Sequence, residues 1–243
     1  MTNHSAARLT GVLFITATVA DLLGAAVRPD LTGTDYLTQV SAQGNRVAAG
    51  VLLLLIAAFA CAGIAVSMYP ILRKANAGLA LGSVVFRTME AVMYVIAVVS
   101  LLSLLTVGQE LVSAGAAERV SLGAVGGLLL SLREHAALAG VFAFCLGAFL
   151  YYCAFFQSRL IPRWLSGWGI AAIILMTTAG VLALFNNDAV TGYVPLALPI
   201  FLQEMVMAVW LIAKGYRPSA IRSALSATKP AISTLDDHAP VAA

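Results

Sequence analysis

The chain has 243 residues, of which 61% are hydrophobic and only 10% are charged, and its formal net charge is +3. Soluble globular domains carry about 25% charged residues, so this composition excludes a soluble globule and indicates an integral membrane protein. The positive charge lies mainly in the segments between apolar stretches, which is a topology signal and not the footprint of a nucleic-acid-binding protein.

Six stretches of the sequence are long and apolar enough to cross a bilayer as helices, which takes about 20 residues. They cover residues 9–27, 47–68, 78–107, 136–156, 165–185 and 195–213. Each is a continuous block rich in Leu, Ala, Val and Ile, without the alternation of a membrane β-barrel. The sequence therefore predicts an all-α, six-transmembrane-helix bundle over residues 1–215 and a disordered cytoplasmic tail over residues 216–243.

The first apolar stretch also has features of a cleaved signal peptide, because Arg8 precedes it and small residues follow it. Its apolar run is longer than the usual ~7 to 15 residues and contains Asp21. These two features favour a retained span.

Lys and Arg are concentrated before the first span and after the second, fourth and sixth spans. Because positive loops stay on the cytoplasmic side, this bias predicts that both termini are cytoplasmic. The outer connection over residues 28–45 contains an amphipathic stretch at residues 36–40. The outer connection over residues 108–132 is either an interfacial helix or an N-terminal extension of the fourth span. The basic residues on the predicted cytoplasmic side are Arg8, Arg73, Lys74, Arg159, Arg163, Lys214, Arg217, Arg222 and Lys229, whereas Arg28, Arg46, Arg119 and Arg133 fall on the opposite side.

Arg87, Glu90 and Glu204 lie within predicted spans at a similar depth. An ionisable side chain at the centre of a span costs roughly 2.5 to 3.5 kcal/mol, so such residues usually face the bundle interior and pair or serve a function. Tyr94 shares a helical face with Arg87 and Glu90. These residues predict either a substrate-binding or proton-relay site, or a structural ion pair that locks the third span to the sixth.

Asp21 and His135 approach the outer membrane face from the first and fourth spans. Both are predicted to line an outer vestibule, with interfacial positions as the alternative. Glu134 and His135 lack a further ligand at metal spacing, so neither a metal nor another cofactor is predicted.

Cysteines and aromatic residues of the spans are predicted to have structural roles. Cys61, Cys145 and Cys153 form no metal-binding or disulfide pattern and are predicted to be small packing residues. Tyr151, Tyr152 and Trp164 lie near predicted cytoplasmic span ends, which is typical of an interfacial aromatic belt.

Three strings of the sequence resemble the bacterial domain-of-unknown-function family 4386. They are Phe86-Arg87-Thr-Met-Glu90-Ala91, residues 140–147 leading to residues 159–167, and residues 204–215. The similarity extends from about Arg8 to Gly215. It implies a multi-pass protein of the bacterial cytoplasmic membrane without an assigned activity, and it supports Arg87, Glu90 and Glu204 as candidate residues of a polar centre.

No short motif of a metalloprotease, serine hydrolase, P-loop protein or dinucleotide-binding enzyme occurs in the sequence, although membrane enzymes often lack such motifs. The leading hypothesis is binding or transport of a small molecule or ion, with proton coupling as one option. The alternatives are a membrane-embedded enzyme acting on a lipid-like substrate and an accessory or structural membrane subunit. The predicted partners are membrane lipids and a small-molecule ligand, with no nucleic acid. The oligomeric state stays open.

Overall fold

The computed structural model describes residues 3–217, which form seven α-helices and one short 3-10 helix. Six helices are long and apolar enough to cross a membrane, which confirms the predicted all-α fold. Of the predicted tail, residues 218–243 lie outside the described residues. The helices are α1 (Asn3–Val27), α2 (Tyr36–Ala42), α3 (Gly44–Leu72), α4 (Ala77–Ser113), α5 (Ala116–Ser158), α6 (Arg163–Asn186), a 3-10 helix (Val190–Tyr193) and α7 (Val194–Ala213).

The six long helices form a closed ring in the order α1, α3, α4, α5, α6 and α7, and α7 packs back on α1. Each helix is antiparallel to its neighbours, because every connection returns the chain across the bundle. The ring closes at a very close approach of two helices. A Cβ added at Gly11 would lie only 2.6 Å from the carbonyl oxygen of Ala208. Glycine at this position therefore lets α1 and α7 meet.

The two ends of the bundle differ in what they contain. At one end, here called the terminal end, Gly215 lies against His4, and the Arg217 N–H donates to the Leu160 carbonyl at 2.9 Å. The opposite end, here called the hairpin end, carries the turn between α4 and α5. The first span thus belongs to the bundle, where α1 contacts both α3 and α7.

Helices α4 and α5 form a hairpin that is longer than a bilayer is thick. α5 has 43 residues, which at 1.5 Å per residue is about 65 Å, against a hydrocarbon core of about 30 Å. Residues 116–132 continue directly into the fourth span. Of the two alternatives for this segment, the structure therefore has the N-terminal extension.

The amphipathic stretch at residues 36–40 lies in α2, which packs across the hairpin. Its buried Leu37 lies between two glycines, one on each arm of the hairpin. A Cβ at Gly108 would lie 2.5 Å from the Leu37 carbonyl oxygen, and a Cβ at Gly126 would lie 2.8 Å from the Leu37 side chain. The two glycines therefore form the seat of α2.

The main hydrophobic core fills the terminal end of the ring. Tyr151 and Tyr152 are fully buried in it, so their assignment to an interfacial belt was wrong, whereas Trp164 is 57% exposed, as a belt residue would be. Tyr216 packs on Phe155 at this end of the bundle, with ring centroids 6.0 Å apart. Burial raises the pKa of Tyr216 to about 12, so its hydroxyl stays protonated at neutral pH.

Cys61 and Cys145 are buried, Cys153 is partly buried, and all three are free thiols. Cys61 also interacts with Glu90, so packing alone does not describe its position.

The seat of α2 can be tested with two glycine substitutions in the hairpin. We expect Gly108→Ala to lower the free energy of unfolding by about 1 to 3 kcal/mol, because its new methyl group meets backbone and not a flexible side chain. Gly123→Ala is the matched control, since a Cβ there meets nothing within 4 Å. It should stabilise α5 by up to about 1 kcal/mol. Equal unfolding temperatures of the two variants in detergent would contradict the close packing.

Candidate functional site

Arg87 and Glu90 form an ion pair inside the bundle, at the level of the core. They stand three residues apart on α4, and Arg87 Nη1 lies 2.7 Å from Glu90 Oε2, with both residues only 2% exposed. Gly147 of α5 makes room for the arginine, since a Cβ there would lie 3.0 Å from Arg87 Cγ. The guanidinium also lies over the ring of Phe144, 5.0 Å from its centroid. The pair is therefore held by packing from α5.

Glu204 of α7 adds a second carboxylate to the first pair. It interacts electrostatically with Arg87, and among the described residues no carboxylate other than Glu90 is within ion-pair distance of that arginine. The Tyr151 hydroxyl donates a hydrogen bond to Glu204 Oε1 at 3.0 Å. Unlike Arg87 and Glu90, Glu204 keeps part of its surface exposed. The structure thus brings together two carboxylates and one guanidinium, here called the polar centre.

A layer of hydrogen-bonded side chains separates the polar centre from the start of α6. The Tyr152 hydroxyl donates to Gln203 Oε1, and Gln203 Nε2 donates to the Leu165 carbonyl at 3.0 Å. The rings of Tyr151 and Tyr152 are 4.5 Å apart. Gly169 of α6 leaves room for the ring of Tyr152, because a Cβ at this position would overlap that ring. Polar atoms thus continue from Glu204 towards the terminal end.

Sequence reasoning missed three neighbours of the polar centre. Tyr151 was assigned to the membrane interface, Gln203 was not considered, and Cys61, which lies beside Glu90, was treated only as a packing residue. Gln203 carried a usable signal, because it is an uncharged polar residue within an apolar span. Cys61 carried none, since free cysteine is common in buried positions.

Asp21 lies on the inward face of α1 at the hairpin end of the ring, and the space beside it is here called the recess. It stands seven residues after Phe14, nearly two full turns, so it shares the helical face that packs Phe14 on Tyr151 with ring centroids 6.4 Å apart. Phe14 is fully buried, whereas Asp21 is exposed although protein surrounds it. Asp21 interacts electrostatically with Arg28 and with Arg133 of α5. The interior of the ring is therefore accessible at this level.

The recess contains further charge on α5 and at the end of α1. Arg133 stands eighteen residues before Tyr151, five full turns, and so shares its inward face. Arg28 follows α1, and burial lowers its pKa, while the carboxylates of Asp30 and Asp21 oppose this shift. Arg28 and Arg133 also interact with each other across the recess.

The two remaining predicted site residues have different positions. Tyr94 stands one turn after Glu90 on α4 and packs on α5, because a Cβ at Gly140 would lie 3.3 Å from its ring. It therefore lies beside the polar centre. His135 stands sixteen residues before Tyr151, which places it on the opposite face of α5, and it is exposed. The structure does not bring His135 to the polar centre.

The family model described as "Domain of unknown function (DUF4386)" matches residues 9–215 of the chain. The protein belongs to the DUF4386 family. No curated protein and no solved structure shows a significant match. Arg87, Glu90 and Glu204 of this DUF4386 protein all lie inside the matched region.

Arg87 and Glu90 of this DUF4386 protein are each only 2% exposed. Two surface hollows lie elsewhere: one of ≈ 390 Å³ at residues 42–46, and one of ≈ 400 Å³ on the outer side of α4 at residues 84–93. Within residues 3–217, no group of three His, Cys, Asp or Glu side chains converges as metal ligands would. Of the three charged residues of the polar centre, only Glu204 keeps part of its surface exposed.

The ion pair of this DUF4386 protein can be tested with a double-mutant cycle. Arg87→Leu should lower the free energy of unfolding by about 3 to 5 kcal/mol, because it leaves Glu90 buried without its partner. The double variant Arg87→Leu/Glu90→Leu should lose less, since no unpaired charge remains at that position. Chemical unfolding in detergent measures both values. Arg119→Leu, on the exposed hairpin, is the control. Additive losses in the double variant would contradict the pairing.

Proposed function

We propose that this integral membrane protein binds a small molecule or ion at the polar centre, through the recess at the hairpin end. The observation that carries this proposal is the state of Glu204. Its carboxylate is partly exposed, it accepts one hydrogen bond from Tyr151, and the nearest guanidinium is already paired with Glu90. Two carboxylates and one guanidinium leave one negative charge that a cationic ligand or a proton would balance.

The recess is proposed to open on the outer side of a bacterial cytoplasmic membrane, and the terminal end to face the cytoplasm. The terminal end carries Arg73, Lys74, Arg159, Arg163 and Lys214 in its connections and at the end of α7. Because positive loops remain in the cytoplasm, this distribution supports the proposed orientation.

Transport is the extension of this proposal that the shape of the bundle supports. The recess is accessible at the hairpin end, while Leu160, Ile161 and Tyr216 are buried at the terminal end. A site that opens to one side and is sealed on the other corresponds to one state of an alternating-access cycle. The hydroxyls of Tyr151 and Tyr152 would let a proton move between Glu204 and the sealed side, which supports proton coupling.

One alternative function has an observation in its favour. Arg87 and Glu90 are almost fully buried and paired with each other, which suits an accessory subunit whose buried charges only hold α4 in the ring. A structural role predicts that substitution of either carboxylate changes stability and nothing else.

Ligand binding can be tested by the thermal stability of the purified protein in detergent with sodium, potassium, ammonium or methylammonium at constant ionic strength. We expect at least one cation to raise the unfolding temperature, because a ligand at about 100 times its Kd stabilises by about 2.7 kcal/mol. Glu204→Gln should abolish this rise, since it removes the charge and keeps the size of the side chain.

Glu110→Gln is the matched control, because Glu110 is an exposed carboxylate on the hairpin. It should respond to the cation as the wild type does. The proposal fails if no cation stabilises the wild type, or if Glu204→Gln keeps the full response.

A further inference from the structure

The sides of α1 and α7 that face each other change from buried to exposed along the bundle. On α1, Leu22 stands eleven residues after Gly11, about three turns, and so shares the face that packs on Ala208. Gly11 is buried there, but Leu22 is 54% exposed. On α7, Phe201 stands seven residues before Ala208 on the same face and is 38% exposed. The two helices therefore touch near the terminal end and separate towards the hairpin end.

The space between the separated parts of α1 and α7, here called the opening, lies next to Glu204 of the polar centre. Its walls are apolar, since Leu22 and Phe201 face it from either side. Glu204 stands one turn from Ala208 on the same side of α7, at the point where the two helices meet. Asp21 precedes Leu22 in the chain and faces the recess, which lies on the hairpin side of the polar centre. A molecule that moves sideways from the lipid would thus meet apolar walls first and a carboxylate afterwards.

The charged residues around the opening determine which charge a ligand's polar headgroup must carry to complement the site. At the base of the opening, Glu90 and Glu204 face Arg87, so the two carboxyl groups outnumber the one guanidinium. Arg133 is the arginine that α5 contributes to the recess. It lies about 27 Å from Tyr151 along the helix axis, towards the hairpin end. It interacts with Asp21 and Arg28 near the hairpin end. A positive headgroup therefore complements the base of the opening, and a negative one does not.

We propose that the ligand is an amphiphile with one cationic headgroup, such as a long-chain alkylammonium, which enters from the bilayer between α1 and α7 and binds Glu204. This inference rests on the proposed function and specifies its ligand class. The apolar tail stays between Leu22 and Phe201, in contact with lipid, so the headgroup supplies the selectivity. The tail confines the ligand to the membrane, where its local concentration is high.

The test is saturable binding of radiolabelled dodecyltrimethylammonium to the protein in nanodiscs, with empty nanodiscs as background. Unlabelled dodecyltrimethylammonium should displace the label at least tenfold better than tetramethylammonium, which has the same headgroup without the tail. Dodecyl sulfate, which has the tail and the opposite charge, should not displace it specifically.

Two neighbouring leucines supply matched variants for the opening. Leu22→Trp fills the space between α1 and α7 and should weaken binding at least tenfold. Leu23→Trp is the control, because Leu23 is 49% exposed but stands nine residues after Phe14, on the face that points away from the ring. Binding to this control should equal that of the wild type, and both variants should keep the wild-type unfolding temperature.

The outcomes separate this inference from the function on which it rests. Equal displacement by tetramethylammonium, equal effects of the two tryptophan variants, or displacement by dodecyl sulfate would overturn the cationic amphiphile. Each of these results leaves a site for a free ion or another ligand in place. Saturable binding that survives in Glu204→Gln would overturn the polar centre as a binding site altogether.

Discussion

A charge inside a bilayer must find its partner within the protein, and the arrangement of this bundle follows from that constraint. Arg87 pairs with Glu90 on its own helix, but the pair is buried only because α5 covers it with Gly147 and Phe144. Glu204 reaches the same place because α7 closes the ring on α1. The ionisable groups and the residues that cover them therefore connect α4, α5 and α7. Contacts with lipid alone would not determine the rotation of these helices about their own axes.

The bundle is packed tightly in one half and loosely in the other. In the tight half, Tyr151 and Tyr152 fill the interior, and small residues such as Gly11 and Gly169 let helices approach closely. In the loose half, α1 and α7 separate, and Asp21 remains accessible. The polar centre lies at the boundary between the two halves, where Glu204 is surrounded by protein and still partly exposed.

The sequence predicted the helices more accurately than the site. All six spans were recognised, because a continuous apolar run is a local property of the chain. Tyr151 was misplaced because its position near a span end says nothing about whether it faces lipid or protein. His135 was expected either to line an outer vestibule with Asp21 or to lie at the interface, and it is exposed on the face of α5 opposite Tyr151. The sequence left open whether residues 108–132 form an interfacial helix or extend the fourth span, since composition alone does not show whether a helix continues past the membrane; the 43-residue α5 has the extension.

The sequence by itself determined the fold class, the number of spans and the presence of ionisable residues at mid-membrane depth. Hydrophobicity and backbone hydrogen bonding impose these features within each segment. Only the tertiary structure decided that Glu90 forms the ion pair with Arg87, whereas Glu204 accepts a hydrogen bond from Tyr151. It also decided that Asp21 is accessible and that α1 and α7 separate. These features depend on the rotation of each helix about its axis, and that rotation is set by packing against helices distant in the chain.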